Sequence, residues 1–390
     1  MQSRLLVCSL VAVLFAAGSV LGKPFVPASD DVVVERLPEQ ADPSLKDLKR
    51  MRAALATSPR DLDVATSVAR SAIDAARATG DPRFLGQAQA ALTPWWTASD
   101  PPSVALLLRA TLKQSQHDFG GSLADLDRLL TREPGNGQAL LTRATVSTVR
   151  GKYADAQRDC EKLFRLTSPL VIAACLAGPA SLSGDADSAY RGLTQALASS
   201  AGSRGIRSWA LTLAAEIAAR RGEKEAADKH FRDAYALDSH DAYLRAAYAD
   251  FLLDNGSPRD VLPLVRDETK NDSLLLRLVL AEQALADQRA SFDAHRAELA
   301  ARFDAARARG DSLHQREEAR FRLSIEGDAR GALGLARLNW NVQREPADLR
   351  ILALAGHAAN DADTRKIVDD WIADHRLQDV TVIAVRGAWR

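Results

Sequence analysis

One pattern of small, large and polar positions runs through most of the chain. In the stretch RRGEKEAADKHFRDAYALD (Arg220–Asp238), Gly222 precedes a polar run, Ala227 stands just inside it, and Phe231 follows four residues later. Related glycines stand at 151, 184, 222, 256 and 327, at intervals of 33, 38, 34 and 71 residues, the last close to two units. Small residues pair twelve positions apart across these glycines, as Ala110/Ser122, Ala144/Ala156, Ala177/Ala189 and Ala215/Ala227. Four residues past each pair comes a larger apolar side chain: Leu126, Cys160, Leu193 and Phe231. Two later units keep the spacing with other residue types, as Ala249/Val261 and Arg320/Ala332.

This spacing predicts antiparallel helix hairpins. Two helices joined by a short turn approach most closely where neither carries bulk, and the large residue one turn on fills the space beside the crossing. The glycine permits a tight exit from the first helix. One hairpin leaves an apolar face uncovered, so successive hairpins stack into a continuous core.

The pattern resembles the tetratricopeptide repeat. The match is best in Ser103–Asn136, in the following unit through Leu166, and in Ser208–Ser239, with Pro134, Pro169 and Pro346 near unit ends. Leu106, Leu140 and Leu211 replace the family's early tryptophan. The resemblance implies an all-α fold, a right-handed α-solenoid of stacked antiparallel hairpins over residues 43–376, with about nine hairpins and an extra first helix. Residues 377–390 are expected to be a C-terminal tail. In Ser273–Gly310 the pattern predicts a second helix of about 20 residues, longer than a standard unit. As a whole the chain also resembles exported bacterial proteins of this class, for which no activity is assigned.

The amino terminus follows another pattern. Arg4 and the uncharged run Leu5–Leu21, closed by Val20 and Gly22 at the −3 and −1 positions, predict a signal peptide over residues 1–22 and a periplasmic mature chain. The alternative is an uncleaved inner-membrane anchor, since roughly 17 apolar residues is the lower limit for a span. No later segment is apolar enough to cross a membrane. Residues 23–42 hold three prolines and no helical period, and read as an extended arm.

Charge and chemistry narrow the function. Lys plus Arg and Asp plus Glu both total 51, and removal of Arg4 leaves 50 against 51, so nothing points to nucleic acid. The segment GDSLH (Gly310–His314) looks like the GDSL hydrolase motif. Its only Asp-x-x-His overlaps the motif, however, and one turn cannot supply both halves of a triad; Asp311 or Ser312 suits a helix N-cap. The seven histidines form no pair with metal-ligand spacing on a helix, and no phosphate loop is present. Trp95 and Trp96 point about 100° apart on a helix, so one is expected to pack and the other to stay partly exposed.

No catalytic, cofactor or metal residue is therefore predicted. The expected function is a non-catalytic periplasmic scaffold or assembly factor that binds a protein or peptide on the concave face of the first helices. The alternative is an accessory regulatory subunit of an envelope enzyme or polysaccharide machine. Some repeat proteins of this family hold acidic chain ends with lysines and asparagines. The corresponding positions here are Leu107, Thr111, Leu141, Thr145, Ala174, Gly178, Thr212 and Glu216, which do not form such a clamp. From residue 209 onward the face gains aromatic and charged groups, so the candidate binding residues are Trp209, Glu216, Arg220, Tyr243, Asp250, Glu317 and Phe321. Cys160 and Cys175, which remain after export, are candidates for a disulfide in an oxidising compartment.

Overall fold

The computed structural model describes residue 29 and residues 43–389 except Ser312. The expected signal peptide and arm lie outside the described residues. The chain divides after Asp42, and the description concerns the unit that begins at Pro43.

Every regular element among the described residues is helical. A leading helix α1 (Pro43–Thr57) precedes the hairpin α2 (Leu62–Thr79) and α3 (Arg83–Ala91), and a short α4 (Thr93–Trp96) follows. Next come α5 (Ser103–Ser115) with α6 (Phe119–Arg132), α7 (Gly137–Val149) with α8 (Tyr153–Lys162), and α9 (Pro169–Ser181) with α10 (Ala186–Ser199). The second half holds α11 (Arg204–Arg220) with α12 (Lys224–Leu237), α13 (Ala242–Asp254) with α14 (Pro258–Val265), and α15 (Asp272–Gln283) with α16 (Arg289–Ala308). The series ends with α17 (Gln315–Phe321) and α18 (Ala329–Val342), α19 (Pro346–Ala358) and α20 (Ala362–His375), and a last helix α21 (Val380–Ala388). Setting aside α1, α4 and α21, the described helices pair as nine hairpins. The second helix expected to be long is α16, with 20 residues.

Helix ends carry the chemistry their sequences suggest. Asn136, Ser203, Asp241 and Asp361 each accept an N–H from the first turn that follows them. The repeat glycines at 151, 184, 222, 256 and 327 all have φ between 70° and 90°, a left-handed conformation that side chains disfavour.

The crossing residues lie in the core. Ala110, Ser122, Ala156, Ala215 and Ala227 are fully buried, and Leu126, Cys160, Leu193 and Phe231 fill the space beside them. At the Ala110/Ser122 crossing the serine hydroxyl donates to the Ala110 carbonyl at 2.9 Å, which only close backbone approach allows. Phe231 continues the apolar contact by stacking on Tyr248 of the next hairpin.

Hairpins distant in sequence also meet along a seam. The Arg344 amide donates to the Val149 carbonyl at 2.7 Å, and Arg150 reaches the Val342 carbonyl at 2.7 Å. Tyr153 sets its ring edge-on to Trp371 and His375, and Trp371 packs on Trp340. Gly151 sits under this cluster, where a Cβ would come within 2.4 Å of the Trp371 ring.

Three expectations need correction. Residues 377–390 contain a docked helix where a tail was expected: Asp379 caps α21, and Leu377, Val382 and Trp389 are buried against α19 and its neighbours. Trp95 and Trp96 are both half-buried, and their carbonyls accept from the buried Arg109, which also pairs with Asp125. In the GDSLH segment, Asp311 accepts from the Leu313 amide in the turn, and the residue at the N-cap of α17 is His314. Ser312 lies outside the described residues.

Cys160 on α8 and Cys175 on α9 are joined as a disulfide with their Cα atoms 5.6 Å apart, inside the usual range for such a bond. Both lie in the apolar contact between consecutive hairpins.

The packing generates three predictions. Ala156→Leu or Ala227→Leu should cost roughly 1–3 kcal/mol by overpacking a crossing, read as a lower urea midpoint. Unchanged midpoints in both would refute the crossing assignment. Gly151→Ala and Gly256→Ala should both pay for a positive φ, but only the first meets a neighbour, so its thermal midpoint should fall further. The oxidised chain without residues 1–22, which carry Cys8, should show no reactive thiol by mass spectrometry after alkylation under denaturing, non-reducing conditions. Reduction should lower stability by about 3 kcal/mol, the loop-entropy value for a cross-link of this span.

Candidate functional site

A cavity of about 600 Å³ opens among first helices of the second half. Helix α11 contributes Glu216 and Arg220, α13 Asp250 and Asp254, α15 Arg277, and α17 Arg316, Glu317 and Arg320. Arg350 of α19 lines it, as do Asp379 and Val380 at the start of α21. The hairpin geometry explains this gathering: second helices bury the alanine face of first helices, so the opposite face of each first helix remains for the cavity.

Most of the charges are paired. Asp250 accepts from Arg277 Nε and Nη2 at 3.1 and 2.7 Å, and from Arg320 Nη1 at 2.5 Å. Burial alone would raise its pKa, but the two guanidiniums outweigh burial and hold it well below the usual carboxylate range. Glu317 is buried beside Arg316, whose Nε donates to it at 3.2 Å. Burial again acts upward there, and Arg316 with Arg277 brings the carboxyl down to about 2. Arg316 also reaches Glu345 at 2.9 Å, and Arg350 holds both oxygens of Asp254.

Glu216 differs. It accepts a 2.7 Å hydrogen bond from the Tyr243 hydroxyl, and burial raises its pKa despite that bond and the charge of Arg220. Arg220 donates to Ser181 Oγ at 3.1 Å. Tyr243, on the first turn of α13, is 60% exposed, and Trp209, on the second turn of α11, is 39% exposed; neither is part of the cavity lining.

The residues singled out in the sequence therefore separate. Glu216, Arg220, Asp250 and Glu317 converge on the cavity, and Tyr243 joins them through its bond to Glu216. Trp209 remains an exposed ring on α11. Phe321 does not belong to the set: it is 2% exposed and packs edge-on against Phe303 in the core. Phe321 is the last residue of the seven-residue helix α17, where the long helix α16 lays Phe303 against it and takes its ring into the core. Sequence reasoning missed Arg277, Arg316 and Arg350. For Arg320 a signal was present, an arginine at a crossing position where other units carry a small residue.

Asp250 and Glu317 make stability depend on pH. Their folded pKa values lie below the unfolded carboxylate range near 4, so the stability they add is present above that range and lost as pH falls through the folded values. Urea midpoints should therefore drop between pH 4 and 2, and Asp250→Asn should flatten that drop. Asp250→Ala should also cost about 3 kcal/mol at neutral pH, because it leaves Arg277 and Arg320 without a counter-charge.

No family model matches the chain. Tetratricopeptide repeat protein 36 of Bos taurus is 38% identical over 65 residues, which is 16% of this chain and 35% of the relative. The chain thus spans about a third of that relative's length. Among solved structures, a human IFIT1 dimer with PPP-AAAA is 12% identical and has a TM-score of 0.43, with 89% of this chain and 86% of the other covered. A tetratricopeptide repeat protein from Parabacteroides merdae is 12% identical with a TM-score of 0.29, covering 80% of this chain and 92% of that one. The buried crossing pairs and the positive-φ glycines between paired helices give this chain the architecture of stacked antiparallel helix hairpins, and over 65 residues its sequence is similar to a tetratricopeptide repeat protein.

Proposed function

We propose that the protein is an exported, non-catalytic module that binds a polypeptide partner along the first helices α11–α19. The observation that carries this reading is the cavity between them, where backbone-rigid helices present charges of both signs and one of these, Glu216, holds the exposed ring of Tyr243 by its hydroxyl. Such a surface suits a peptide, whose alternating polar and apolar groups need both kinds of contact. Aromatic and arginine side chains supply most of the binding energy at protein interfaces. Most of the cavity charges are held in mutual ion pairs, an arrangement that orders a surface. The amino-terminal signal pattern supports export, and the cysteine pair is consistent with an oxidising destination.

The test separates binding from packing. Trp209→Ala removes an exposed ring and should leave the thermal midpoint within about 2 °C of wild type, as for surface substitutions, while Tyr243→Ala also removes the hydrogen bond to Glu216 and should lower it by a few degrees more. Capture of partners from a periplasmic extract should fall at least tenfold with either variant, read by quantitative pull-down. Retention of every wild-type partner by both variants would move the binding surface elsewhere.

A further inference from the structure

Two consecutive first helices carry the same arrangement. Trp209 and Tyr243 lie 34 residues apart, as do Glu216 and Asp250, in register with the crossing residues Ala215 and Ala249 and with Gly222 and Gly256. Each helix thus presents an aromatic-to-acid pair seven residues, or two turns, apart on one face. Each acid also receives a donor from the next first helix: Tyr243 of α13 reaches Glu216, and Arg277 of α15 reaches Asp250.

The two equivalent carboxylates are satisfied differently. At Asp250 two guanidiniums meet, one from α15 and one brought across by Arg320 of α17. At Glu216 the donor is a neutral phenol, and no ion pair within 4 Å is formed among the described residues. Burial leaves the Glu216 carboxyl raised, while the paired guanidiniums keep Asp250 low. Arg220 and Arg316 act on Glu216 through space, but both place their hydrogen bonds on other groups. Arg316 serves Glu317, Glu345 and Asp348, and Arg220, one turn along α11, donates to Ser181. Glu345 adds a further negative charge that acts on both Glu216 and Tyr243. The exposed face of the Tyr243 ring borders this site, and its hydroxyl, fixed on Glu216, orients it.

We propose that Glu216 and the ring of Tyr243 receive a basic side chain, arginine or lysine, from the bound polypeptide, in the role that Arg320 plays at Asp250. The repeat itself supplies the template: the same acid position, one unit later, is filled by a guanidinium from a neighbouring element. An aromatic face beside a carboxylate adds a cation–π contact to the ion pair. This inference rests on the peptide-binding reading above and specifies its chemistry.

The test is a selection of displayed random heptapeptides on the full-length exported chain, followed by titration of synthetic peptides. Selected sequences should be enriched in arginine or lysine at one position. Replacing that arginine by citrulline, its neutral isostere, should weaken binding at least tenfold. The lysine counterpart shows whether an ammonium suffices or the planar guanidinium is required. Glu216→Gln should abolish the arginine-to-citrulline difference, with the thermal midpoint checking that it folds. Should that variant not fold, Glu216→Asp, which withdraws the carboxylate by one methylene, should shrink the same ratio. Selected peptides that are acidic or neutral, or an arginine-to-citrulline ratio unchanged in the Glu216 variant, would overturn the inference while leaving peptide binding intact. A selection that yields no binder would overturn the peptide-binding reading and this inference with it.

Discussion

Close approach of paired helices at small residues is the constraint on which the rest depends. A hairpin whose crossing holds alanine on both sides brings its backbones near enough for a serine hydroxyl to reach the opposite carbonyl, as Ser122 does. That approach fixes which face of each first helix is covered. The opposite face is then free, and repetition lines up five such faces beside one cavity. The chemistry of the cavity is thus a by-product of packing: bulk at a crossing would move the helix that carries Glu216 or Asp250.

The cavity is polar where the crossings are apolar, and the two environments support each other. Arg277 and Arg320 meet at Asp250, and Arg350 meets Asp254, so elements separated by many residues are joined by ion pairs that line open space. Pairs of this kind add little when fully solvated and demand good geometry when buried. Here the stacked helices provide the geometry without side-chain searching. The seam between α7–α8 and α18–α20 has a different basis, with aromatic packing of Tyr153, Trp371 and Trp340 beside backbone hydrogen bonds. The disulfide ties α8, which begins at Tyr153, to α9.

Glu216 differs from its repeat counterpart in how its charge is met. Its counterpart Asp250 shows what the fold does when it can bring arginines to an acid. The helices around Glu216 bring a tyrosine instead, and the neighbouring arginines point to other partners.

The hairpins, their order, the long helix α16 and the crossing residues were legible in the sequence, because each depends on spacing within one or two helices. A small residue at a fixed distance from a glycine carries its meaning locally. The C-terminal helix was not legible as part of the fold: residues 377–390 hold no repeat register, and only the surface left open by α19 makes Leu377, Val382 and Trp389 core residues. Phe321 was misplaced for a related reason, since only the packing of the long helix α16, which brings Phe303 against it, makes it a core residue. The candidate site was half legible. Which helix positions face inward follows from the repeat, so Glu216, Arg220, Asp250 and Glu317 were found. Which of them meet arginines from α15, α17 and α19 depends on how far each hairpin rotates against the last, a quantity set by the sum of many packing contacts and decided only by the tertiary structure.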